Sequence, residues 1–253
     1  MLDSYVMSLA KTIKDKKDEL RKSNLICLDV NLSKKETECL DNIKVDREFK
    51  QFNHYGVADK ELKEYLQEYL NQIGNNTESD IGCVAGLIVR IHHGMIGGFD
   101  EVSAWTMVRV VMPTEDFNIQ RWHADGSYFK SSKKVYKLVM SLLGPQTLFG
   151  RINNLEKYKS LTKESDKNVQ DNILDNNNPN KFKEEDLRIR KELLKIVEPI
   201  KSCEKRNAGI YLVGDDNAVV HSEPKIDTPR LFISVLPGSK EQINEWRDRN
   251  NKD

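Results

Sequence analysis

Three short stretches carry side chains whose types and order suit a metal centre: His123-Ala124-Asp125, a lone His221, and Arg230 nine residues later. A His and a carboxylate at i and i+2 share one face of an extended strand. A second imidazole from a distant segment then closes a triangle on one ion. Two imidazoles and one carboxylate on the same side of a divalent ion leave its other positions open, a ligand set that suits Fe(II). Arg230 adds a fixed cation, and a guanidinium holds a carboxylate through two parallel hydrogen bonds where a lysine cannot. His-x-Asp alone recurs by chance. Here the chain has only five histidines, His54, His92, His93, His123 and His221, and two of them fall in this order beside apolar, strand-like runs.

Strands must position these residues. Strand signals fall at 83–92, 105–112, 135–143, 147–150, 210–213, 218–220 and 231–236, punctuated by Gly and Pro, which suggests a β sandwich or barrel. Gly144-Pro145-Gln146 predicts a turn, and Pro224 and Pro229 bracket a polar turn between His221 and Arg230. His92 and His93, adjacent on an expected strand, point to opposite faces and stay outside the metal set.

The first 80 residues read as mainly helical. Leu2, Val6, Leu9, Ile13 and Leu20 recur at helical spacing. Residues 59–73 form another helix, with Leu62, Tyr65, Leu66, Tyr69 and Leu70 as a stripe that packs on the sheet. Residues 153–207 interrupt the β pattern with an Asn-rich loop at 171–180 and a helix at 183–200. That insertion either covers the mouth of the site or is a surface excursion.

The 253 residues carry 40 basic and 40 acidic side chains, with 38% hydrophobic and 32% charged residues. This is polar for a globular chain without being disordered. Balanced charge removes the simplest case for nucleic-acid binding. Cys27, Cys39, Cys83 and Cys203 stand isolated, with no Cys-x-x-Cys pair, so reduced thiols in a cytoplasmic protein are expected. No signal peptide is legible, and no apolar run of the ~20 residues that span a bilayer is expected.

With residues 121–129 (Arg-Trp-His-Ala-Asp-Gly-Ser-Tyr-Phe), 209–214 (Gly-Ile-Tyr-Leu-Val-Gly), His221 and 229–236 (Pro-Arg-Leu-Phe-Ile-Ser-Val-Leu), the chain resembles the 2-oxoglutarate- and Fe(II)-dependent oxygenase superfamily over about residues 102–238. The resemblance implies an α+β fold: a double-stranded β-helix, or jelly-roll and cupin-like, core buttressed by N-terminal helices and carrying a polar, partly helical insertion. A single domain over 1–253 is expected, with helices at 1–80, β core at 82–150 and 208–238, and the insertion at 153–207. His123, Asp125 and His221 would bind Fe(II). Arg230 would bind 2-oxoglutarate, with Ser234 on the same strand face and Arg109, which faces either pocket or solvent. Phe232 stands where many relatives carry Ser or Thr, a departure at the co-substrate contacts. Trp122 and Tyr128 would shape the substrate pocket or pack on the core.

The activity implied is dioxygenation with O2 and 2-oxoglutarate: hydroxylation or demethylation of a small-molecule or protein substrate, with succinate and CO2 as co-products. The carboxylate at Asp125 argues against halogenation, which in relatives accompanies a small residue there. Nucleic acid and membrane are not favoured as partners, and the oligomeric state is not legible. Two other classes stay open: a cupin-like metalloprotein with a different reaction, in which Arg230 has no carboxylate partner, and a non-catalytic interaction module on a degenerate oxygenase fold.

Overall fold

The computed structural model describes residues 4–57, 60–130, 133–174, 179–200, 202–214 and 217–250. Leu2 and the middle of the Asn-rich stretch, 175–178, lie outside them. In chain order the elements are α1 (Ser4–Asp15), α2 (Lys17–Ser23), β1 (Leu25–Leu28), α3 (Lys34–Asn42), β2 (Phe52–Gly56), α4 (Lys60–Gln72), α5 (Glu78–Phe99), β3 (Ser103–Val111), β4 (Val135–Leu143) and β5 (Leu148–Ile152). There follow α6 (Leu155–Leu174), α7 (Pro179–Leu194), β6 (Val197–Ile200), β7 (Ala208–Val213), β8 (Val220–Ser222), β9 (Arg230–Gly238) and α8 (Lys240–Asn250).

Two antiparallel sheets result. The larger has the order β1-β7-β4-β9-β3-β2, and the smaller has the order β6-β5-β8. Side chains alternate across the larger sheet as the pleat requires. Val108 and Val110 of β3, Leu138 and Met140 of β4, Ile210 and Leu212 of β7, and Ile233 and Val235 of β9 face the helices and join one apolar core with Val84, Leu87, Ile88 and Ile91 of α5. The intervening positions, Arg109, Lys137, Val139, Tyr211, Arg230 and Phe232, face the cavity described below.

The structure corrects several expectations. Residues 83–92 lie inside α5, so His92 and His93 are on a helix and not on a strand. The run is rich in Val and Ile, but Thr77 caps it by accepting from the Asp80 N–H at 3.2 Å, and burial against the sheet outweighs the weak strand preference of β-branched residues. By length and composition α5 is a helix that could cross a bilayer, 61% of its most apolar window being buried inside the fold. Its Arg90 donates to Glu36 at 3.0 Å and to the Val30 carbonyl at 2.9 Å.

The N-terminal region is not helical throughout, because β1 and β2 form the two edges of the larger sheet. The expected helix at 183–200 ends at Leu194, and Val197–Ile200 is a strand paired with β5. The insertion is therefore a helical hairpin, α6 and α7, followed by a strand of the smaller sheet. Residues 171–174, expected in a loop, finish α6. On α4, Leu62, Leu66, Tyr69 and Leu70 are buried while Tyr65 is 51% exposed.

The four cysteines are not all free thiols. Cys27 and Cys203 form a disulfide with Cα atoms 5.4 Å apart, and Cys39 and Cys83 remain free. The pairing of β1 with β7 brings together residues 176 positions apart. The expected reduced state therefore holds for Cys39 and Cys83 and not for Cys27 and Cys203.

Candidate metal centre

His123 and His221 meet directly as an isolated antiparallel bridge. The His123 N–H donates to the His221 carbonyl at 2.9 Å, and the His221 N–H donates to the His123 carbonyl at 2.8 Å. Residues paired this way present their side chains to the same face, and the two imidazoles stand with centroids 4.4 Å apart. Asp125, two residues on, returns to that face. Its carbonyl accepts from the Gly214 N–H at 3.1 Å, and Gly214 takes φ +67°, a conformation that glycine adopts without strain. The donor atoms of His123, Asp125 and His221 all lie within 4.8 Å of one another.

The imidazoles are set up to ligate. His123 Nδ1 lies 2.8 Å from the Arg121 carbonyl and His221 Nδ1 lies 3.3 Å from the Val219 carbonyl. A carbonyl only accepts, so each Nδ1 carries the proton and each Nε2 keeps its lone pair free for a metal. Burial, reinforced by the neighbouring His123, lowers the His221 pKa to about 3, so this ring is neutral near pH 7. Burial pushes the Asp125 carboxyl upward, but the charge of Lys137 outweighs it and holds Asp125 well below the usual carboxylate range. Two imidazoles and one carboxylate on one side fit a divalent ion such as Fe(II).

Two residues that sequence reasoning missed complete this group. Lys137 donates to Asp125 Oδ2 at 3.0 Å and to the Tyr128 hydroxyl at 2.8 Å. The Tyr211 hydroxyl donates to the same Asp125 oxygen at 2.8 Å and lies 3.3 Å from His221 Nε2. Both come from positions of β4 and β7 that alternation turns inward. A lysine and a tyrosine at inward positions of otherwise apolar strands were the available signal.

The triad opens onto a cavity of about 110 Å³ between the two sheets, which Arg230 also lines. Arg230 is 3% exposed. Its Nε donates to Ser141 Oγ and to the Pro145 carbonyl, both at 3.0 Å, and its Nη2 donates to Thr147 Oγ1 at 2.8 Å. Its guanidinium lies over the Phe232 ring, 4.5 Å from the centroid. Each of these partners is neutral. Burial lowers the Arg230 pKa to about 10, which still leaves it charged near neutrality. A buried guanidinium with no carboxylate in salt-bridge range, among the described residues, calls for an anionic ligand.

The other expected site residues divide. Arg109 lines the same cavity from an exposed position on β3. Ser234 is fully buried on the Arg230 face, is not part of the lining, and its Oγ has no hydrogen-bond partner among the described residues. Trp122 is 2% exposed and packs with Tyr158, Leu161, Ile189 and Leu193 of the hairpin, so it anchors α6 and α7 beneath the triad segment and does not line the cavity. Tyr128 acts on the site through Lys137, with its ring 5.0 Å from Trp246. Glu223, a further lining residue, pairs with Arg121 at 2.7 Å.

No family model matches the chain, and no curated protein matches it. Solved structures similar to it include the selenomethionine-labelled Fe(II)/α-ketoglutarate-dependent dioxygenase TqaL, at 10% identity over 93% of this chain and 89% of that one, with a TM-score of 0.41. A prolyl-4-hydroxylase from Pseudomonas putida is 11% identical over 91% and 98% of the two chains, with a TM-score of 0.38. A prolyl hydroxylase from Trichoplax adhaerens, in complex with a hypoxia inducible factor oxygen degradation domain peptide fragment, is 10% identical over 94% and 94%, with a TM-score of 0.39.

Proposed function

We propose that this chain is an Fe(II)- and 2-oxoglutarate-dependent dioxygenase that hydroxylates or demethylates a small-molecule or protein substrate and releases succinate and CO2. On this reading the two sheets are the halves of a double-stranded β-helix. The observation that carries it is the joint exposure of His123, Asp125 and His221 and of the buried, anion-seeking Arg230 to one small cavity.

When bound, Fe(II) supplies oxidation of a C–H bond by O2, coupled to decarboxylation of the co-substrate. The chain's own residues do the rest. His123 Nε2, His221 Nε2 and an Asp125 oxygen hold the ion, and the backbone bridge between the histidines fixes their separation. Arg230 takes the distal carboxylate of 2-oxoglutarate, and its bonds to Ser141, Pro145 and Thr147 keep its plane fixed before the co-substrate arrives. Lys137 and Tyr211 hold the Asp125 carboxylate in place from the side of the larger sheet. Arg109 adds positive charge at the exposed side of the cavity, where it favours an incoming anion.

The test is anaerobic visible absorbance of the Fe(II)-loaded chain as 2-oxoglutarate is added. A metal-to-ligand charge-transfer band that disappears in His221→Ala and needs more co-substrate in Arg230→Ala supports the proposal. Bound iron with no band points to a cupin-like metalloprotein with another reaction. No iron binding overturns the enzyme reading and leaves an interaction module.

A further inference from the structure

A much larger cavity lies away from the metal centre. It measures about 850 Å³, within the roughly 300–1,000 Å³ of small-molecule sites. Its walls come from α2, the end of α5, the segment leading into β4, and the junction of β9 with α8. The floor is apolar: Leu20, Phe129 and Tyr136 are buried there, and Phe99 stacks on Tyr136 with centroids 5.6 Å apart.

The rim is cationic. Lys17, Arg21, Lys133 and Lys134 line the cavity against a single acid, Glu101. The partners of Lys17, Arg21 and Lys134 leave their charge largely in place. Lys17 meets Asp100 at 2.8 Å, and Arg21 meets Asp18 at 3.3 Å. Both acids are mostly exposed, so these are solvent-screened pairs. Lys134 donates to the neutral Asn24 Oδ1 at 3.5 Å. A cationic rim above a low-dielectric floor concentrates field on whatever occupies the cleft.

We propose that this cleft is a second ligand site, which takes a small organic anion: a flat apolar body that covers Phe129 and Tyr136, with a carboxylate, phosphate or sulfonate set against Arg21 and Lys134. The proposal is independent of the metal centre's chemistry.

The test is fluorescence titration of the intact chain with 1-anilinonaphthalene-8-sulfonate, an aromatic body bearing one anion, beside its neutral counterpart N-phenyl-1-naphthylamine. One saturable site is expected, weakened at least about tenfold in the double variant Arg21→Glu/Lys134→Glu by loss of rim charge, and unchanged in His221→Ala. The neutral dye is expected to bind at least about tenfold more weakly. Competition by 1-naphthoate against 1-naphthyl phosphate then tells which anion the rim prefers. Equal binding of the neutral dye, an unchanged double variant, competition by neither anion, or loss of binding in His221→Ala would each overturn the proposal. In the last case the dye sits in the metal cavity.

Discussion

The ammonium of Lys137 stands 3.0 Å from the carboxylate of Asp125, and both side chains are about nine-tenths buried, at 8% and 12% exposure. Without a metal, Lys137 is thus the counter-charge that keeps a buried ligand carboxylate ionised. Burial works against the Lys137 charge, and the attraction of Asp125 outweighs it, so its pKa is raised. On the proposed reading, a divalent ion and Lys137 address the same carboxylate.

Replacing Lys137 by Met leaves Asp125 buried and unpaired, which costs about 3–5 kcal/mol. Metal-free Lys137→Met is expected to unfold at correspondingly lower urea concentration, and added Mn(II) to recover part of the loss. If Mn(II) stabilises the variant no more than the parent chain, Asp125 is not the shared partner.

Arg230→Lys keeps the charge but cannot reproduce the fork to Ser141, Pro145 and Thr147. A lost charge-assisted hydrogen bond is worth about 1.5–3 kcal/mol. The concentration of 2-oxoglutarate at half-maximal absorbance change should therefore rise about 10- to 100-fold, with iron affinity unchanged. Equal co-substrate affinity in the two chains would remove Arg230 from the co-substrate site.

His92 on α5 makes the core sensitive to acid. Burial, and after it the neighbouring His54 and His93, lower its pKa to about 3 from an ordinary value near 6.5, and its Nδ1 lies 2.7 Å from Thr106 Oγ1. The unfolded chain binds this proton between those two values and the folded chain does not. Stability is thus fully present above about pH 6.5 and is lost as pH falls towards 3. The urea midpoint should drop between pH 7 and pH 5, and His92→Gln should flatten that drop; an equal drop in both proteins would place the sensitivity elsewhere.

Thiol titration checks the cysteine pairing. In denaturant without reductant, two thiols per chain should react, Cys39 and Cys83, and after reduction all four. Cys27→Ser is expected to cost about 2–5 kcal/mol. Four reactive thiols before reduction would exclude the Cys27–Cys203 bond.

The triad and Arg230 were legible because their chemistry is dense in side-chain type: few histidines, one of them two residues from a carboxylate, each beside a strand-like run. The strands carrying Val108, Leu138, Ile210 and Ile233 were legible from short apolar runs punctuated by Gly and Pro. What escaped depended on contacts distant in sequence. Residues 83–92 have strand-like composition, and the buried surface they cover makes them a helix. Cys27 and Cys203 meet only once β1 lies on β7. Lys137 stands out within an apolar strand run, but that it meets Asp125 depends on the folded sheet. The turn at Gly144, by contrast, followed from its residues, and φ +77° there accords with that reading.

The placement of β1 and β2 at opposite edges of the larger sheet has a consequence for trimming this protein. A piece beginning near residue 102 would keep His123, Asp125 and His221, yet it would leave β7 and β3 with open flanks of unpaired N–H and C=O groups and strip α5 from the apolar face. Such strands recruit other chains. The minimal folding unit of this protein is therefore larger than the part that carries the candidate site, and shortened versions should be recovered as aggregates, with the first hundred residues acting as the seal on the larger sheet.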